Sequence, residues 1–143
     1  MGHEKDHTHK QYCLESLNSD GGMPNGGLSS FLYMRQNSNL APPEDLVTLI
    51  PRAGKIKSLF AYLDTAPGAG ETVRVKVRVN KADPGTQLTC DIDDTDQSSN
   101  DTSNEMTVAQ GDRISVGVSG TAGNSATDMS VSLEIEYESE NPT

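Results

Sequence analysis

Between Thr72 and Asn80 the chain alternates without error, with Val73, Val75, Val77 and Val79 on one parity and Arg74, Lys76 and Arg78 on the other. Only a strand with one buried and one wet face satisfies that period. Similar patterns predict strands over Thr86 to Ile92 (Leu88, Cys90 and Ile92 inward), Arg113 to Ser119 (Ile114, Val116 and Val118 inward) and Met129 to Tyr137 (Val131, Leu133, Ile135 and Tyr137 inward). Shorter runs at Leu46 to Ile50 and Glu105 to Ala109 add two more. Pro51-Arg52-Ala53-Gly54, Asp83-Pro84-Gly85 and Gly111-Asp112 supply turns between them.

Lys55 to Leu63 breaks the alternation. Ile56, Phe60 and Tyr62 fall on one parity, while Leu59, Ala61 and Leu63 fall on the other, so both faces are apolar. Either this is a fully covered central strand, or its outer face is buried by a neighbouring subunit through Leu59, Ala61 and Leu63. The second reading predicts self-association, with a trimer as the expected form.

Residues 1–45 read differently. Two glycine pairs, all three histidines and few β-branched residues leave little to hold a packed element, which predicts an extended N-terminal arm ahead of a domain over 46–143. Within the arm, Phe31-Leu32-Tyr33-Met34 is one dense apolar patch. It is either an anchor that docks on a shell or a neighbour, or the first strand of the chain's own sandwich. Pro42-Pro43 before Glu44-Asp45 reads as the hinge into the domain. Seven strands, or eight with the patch, and no helical crossover imply an all-β antiparallel sandwich. A jelly roll fits best, and an immunoglobulin-like sandwich is the other candidate.

Composition narrows this further. A chain of 143 residues has the length of one domain, and 33% hydrophobic and 4% aromatic residues imply a thin, aliphatic core. A formal charge of -10 repels the phosphate backbone, so no nucleic-acid partner is expected. No apolar run is long enough to span a bilayer, so no membrane partner is expected, and the polar N-terminus lacks the core of a signal peptide. A chain kept in the cytoplasm is expected, unless it leaves inside a larger particle. Cys13 and Cys90 are too separated in sequence for a CxxC pair, so both thiols are expected to be reduced.

Candidate chemistry is sparse. His3, His7 and His9 have chelating spacings but sit in the predicted arm. Asp91, Asp93, Asp94, Asp96 and Asp101 invite a calcium reading. They fail the EF-hand template, because Asp96 stands at the glycine position and Thr102 at that of the bidentate glutamate. The expectation is a solvated acidic loop and no cofactor, with a loose calcium site between Asp91 and Asp101 as the alternative. No base is placed beside a nucleophile, aromatic platforms for a glycan cleft are few, and Gly68-Ala69-Gly70 lacks the GK[ST] of a phosphate loop. An enzyme is not expected.

Gly54-Lys55-Ile56, Pro67-Gly68-Ala69-Gly70-Glu71-Thr72 leading into the valine strand, and Val108-Ala109-Gln110-Gly111-Asp112-Arg113-Ile114 occur in an order that resembles jelly-roll modules of phage and viral structural proteins. Those modules are similar to the tumour-necrosis-factor and complement-C1q-like fold, in which three copies commonly pack around an axis. The resemblance covers about residues 50–137 and rests on turns and strand starts, not on a catalytic signature. It implies a virion protein assembled in the host cytoplasm. That protein would be a capsid decoration, cement or fibre-type subunit whose partners are itself and a major capsid protein. The other function class is a receptor- or glycan-binding head of a tail appendage or adhesin.

Overall fold

The computed structural model describes residues 10–24, 30–32 and 47–138. They form ten strands and no helix: β1 (Lys10–Gly22), β2 (Ser30–Leu32), β3 (Thr48–Leu49), β4 (Gly54–Thr65), β5 (Thr72–Val79), β6 (Thr89–Asp93), β7 (Ser98–Asp101), β8 (Met106–Val108), β9 (Arg113–Gly120) and β10 (Thr127–Glu138). All pairings are antiparallel. One sheet runs β1-β10-β4, with β7 and β8 sharing the far edge of β4; the other runs β9-β5-β6, with β2 and β3 sharing the far edge of β9. If β2 and β3, and likewise β7 and β8, are each counted as one interrupted strand, first pairs with last, second with seventh, third with sixth and fourth with fifth. That nesting is consistent with a jelly roll.

The two inner faces close a core whose fully buried described side chains are aliphatic, with Tyr137 packed against its margin. Ile56, Leu59 and Leu63 of β4 and Val131, Leu133 and Ile135 of β10 meet Val73, Val75 and Val77 of β5 and Val116 and Val118 of β9. All eleven are at most 1% exposed, and no Phe or Tyr is among the described buried residues. The low aromatic content is thus met by aliphatic side chains, each contributing about 1.5–3 kcal/mol on burial.

The two-sided appearance of β4 has a local cause. Its register with β10 pairs Ser58 with Glu134 and Ile56 with Ile135, so Lys57 is an extra residue and the strand bulges there. A bulge resets the parity. Ile56 therefore joins Leu59, Ala61 and Leu63 on the core face, and only Phe60 and Tyr62 remain outside. At the start of the same strand β4 runs so close to β10 that a Cβ on Gly54 would collide with the backbone carbonyl of Glu136.

The region read as an arm contributes two strands to the sandwich. From Lys10 to Ser19, β1 pairs with β10 residue by residue, and after a register shift Gly22 pairs with Thr127. At that shift Gly21 adopts φ 97°, and its N–H donates to the Asp128 carboxylate at 2.8 Å. Backbone pairing of this kind does not require the β-branched residues whose scarcity suggested an arm. The polar run Ser98–Asp101, read as loop, is β7, an edge strand on β4. Between Val79 and Ala82, Asn80 and Lys81 both have positive φ (53° and 63°) and form a two-residue reverse turn closed by reciprocal backbone hydrogen bonds of 3.0 Å.

Candidate surface site on the outer face of β4

The bulge turns two rings outward. Phe60 is 48% and Tyr62 45% exposed, two residues apart on one face of a strand flanked by β10 and β7. Their cross-strand neighbours are small and uncharged: Ser132 and Asn100 beside Phe60, Ser130 and Ser98 beside Tyr62. Together they line a shallow depression of about 250 Å³. Farther along the same strand the face becomes charged, where Lys57 Nζ lies 3.0 Å from Glu136 Oε2.

The residues expected at a subunit interface do not lie there. Leu59, Ala61 and Leu63 are 0%, 3% and 0% exposed within one chain. This corrects the reading that placed them on an outer surface and removes the apolar-face argument for a trimer. Phe31 and Leu32 lie in β2, in register with Gly117 and Val116 of β9. Phe31 and Leu32 thus belong to the chain's own sandwich, as its second strand and not its first; Tyr33 and Met34 fall outside the described residues, as do the three histidines and the expected hinge at Pro42-Pro43. The signal for Phe60 and Tyr62 was present as two rings on one parity, but a regular strand would have grouped Ile56 with them.

The aspartates of the acidic stretch act separately. Asp91 on β6 receives both Arg74 Nε (2.7 Å) and Nη2 (2.9 Å), and this pairing holds its carboxyl below the usual carboxylate range. Asp93 accepts from the Thr72 hydroxyl at 2.7 Å, and Asp94, at φ 54°, accepts from the Gly70 N–H at 2.7 Å. Asp101, 8% exposed at the end of β7, would be pushed up by its burial. Donors from the Asn104 side chain and from the backbones of Asn104, Thr89 and Ser103 outweigh that and lower it. Among the described residues no three acids, histidines or cysteines converge as metal ligands.

The basic row of β5 is likewise paired. Besides the Arg74–Asp91 fork, Asp83 takes Lys76 Nζ at 2.9 Å and Arg78 Nη1 at 2.7 Å, which lowers its carboxyl. Cys90 is enclosed in the core, and burial pushes its thiol up to about 12, with a hydrogen bond from Ser99 acting the other way. A thiol in that state is neutral at physiological pH and is a poor nucleophile. Among the described residues no helix is long and apolar enough to cross a membrane.

No family model matches the chain, and no curated protein does. The C1q-like resemblance therefore finds no counterpart at the level of sequence. Among solved structures the chain is similar to one in the acidic stable capsid structure of Helicobacter pylori bacteriophage KHP30. That match has 11% identity and a TM-score of 0.53, covering 94% of this chain and 99% of that one. FLHE is similar over 91% of this chain and 98% of its own, at 12% identity and a TM-score of 0.40. The first of these shows a shared all-β sandwich fold, along essentially the whole of both chains.

Proposed function

We propose that the chain is a non-enzymatic structural subunit of a virus particle, a decoration or cement protein that binds a major capsid protein and presents its sandwich outward. The observation that carries this reading is the fold shared along nearly the full length of a chain from a phage capsid structure. The negative charge of -10 suits a protein held at high local concentration on a particle, where it limits non-specific association.

The fold offers the edge of the β1 sheet for attachment. β1 is hydrogen-bonded to β10 on one side and, among the described residues, to no strand on the other. An edge of this kind can add a strand from a neighbour. Capsids prepared without this chain and mixed with the purified protein should take it up to a fixed stoichiometry, and then resist heating that opens bare capsids. Saturable binding to whole cells with none to capsids would overturn the assignment in favour of a receptor-binding head.

A further inference from the structure

On a sheet face with one side in water, the rings of Phe60 and Tyr62 have no role in the core, yet they sit on a rigid strand flanked on both sides. Around them stand three hydroxyls and one amide, from Ser98, Ser130, Ser132 and Asn100. None of these four side chains, nor the Tyr62 hydroxyl, has a hydrogen-bond partner among the described residues. Each serine offers one donor and two acceptor positions, and the asparagine offers both kinds.

From this juxtaposition we infer that the outer face of β4 is a binding site for a neutral carbohydrate. The two ring faces cover the C–H face of a sugar, while the serine hydroxyls and the Asn100 amide exchange hydrogen bonds with its hydroxyls. The surroundings select this ligand over the others. An anion would need a cation in the depression, and none of its lining residues carries charge. An apolar peptide would leave the polar rim unsatisfied at a desolvation cost. A second copy of the chain would bring another charge of -10 against the first, and the described residues around the two rings offer no apolar rim to offset the repulsion. A neutral polyol meets none of these penalties. With only two rings and an open depression, affinity falls in the millimolar to sub-millimolar range.

The test uses the purified full chain and saturation-transfer NMR with maltotriose, cellotriose, mannotriose and triacetylchitotriose at millimolar concentration. At least one should receive saturation on the protons of one sugar face. Tyr62→Ala and Phe60→Ala should each weaken it at least about tenfold, with the melting temperature little changed. Asn100→Ala, which leaves both rings in place, should weaken it as well. The inference is overturned if no sugar of the panel binds, if binding survives in the Phe60→Ala/Tyr62→Ala double variant, or if wild-type protein sediments as an oligomer that the double variant dissolves. Capsids take no part in the assay, so its failure leaves the structural assignment standing.

Discussion

The ammonium of Lys57 lies 3.0 Å from a carboxylate oxygen of Glu136, and the Glu136 side chain is only 6% exposed. Lys57 is the extra residue of the β4 bulge, so the distortion that sorts the core of this strand also places a cation beside an enclosed acid. Replacing the lysine alone leaves that acid without one of its partners. Lys57→Met should destabilise the fold by about 1–3 kcal/mol in urea unfolding, and adding Glu136→Gln should recover part of the loss.

The two sides of β4 should respond oppositely to substitution. Leu59→Ala should cost about 2–5 kcal/mol and Leu59→Asp should abolish folding, because both act inside a closed core. Phe60→Ser, one residue away, should change stability by less than about 1 kcal/mol. A folded, dissociated Leu59→Asp protein would return this residue to an interface.

Gly54→Ala should lower the melting temperature although alanine favours ordered structure over glycine, since its Cβ meets the Glu136 carbonyl and the two strands must part. Gly85→Ala, where nothing approaches within 4 Å, is the control and should be close to neutral.

Acid should weaken the sandwich in a defined way. Asp83, Asp91 and Asp101 are held below their ordinary value of 3.8, so the unfolded chain takes up their protons first as the pH falls. Their contribution is complete above that value and is lost as the pH drops through and below it. Asp101→Asn should reduce stability near neutrality and flatten its decline on acidification, as measured by urea midpoints across a pH series.

Deleting residues 1–28 should remove β1 and lower the melting temperature sharply. An appended arm would allow the same deletion without thermal effect, so differential scanning calorimetry separates the two.

The strands that could be read from sequence were those whose alternation is undisturbed and whose inward residues are apolar. Val73 to Val79 is the clearest, and Val131 to Ile135 behaves the same way; Ile114 to Val118 alternates in sequence too, although Ser115 and Gly117 on its other face are also buried. β7 escaped notice because its inward residues, Ser99 and Asp101, are polar, the second kept in place by four hydrogen bonds instead of by apolar contact. β1 escaped because its partner, β10, follows more than a hundred residues later, and no local pattern reports such a pairing. The surface site depended on the bulge at Lys57. A single added residue leaves no mark in composition, yet it decides which rings face water.

The hydrogen bond from Gly21 to Asp128 spans 107 residues of chain. Because β10 lies between β1 and β4, neither can complete its sheet until β10 has been synthesised. At about 5–20 residues per second, β1 leaves the ribosome many seconds before the strand it needs. Pairing of both sheet strands with β10 therefore comes late and, with so many distant pairings, folding is slow. During that interval β1 and β4 are exposed strands in a crowded cell, and the acidic charge that separates nascent chains protects them before any tertiary structure exists.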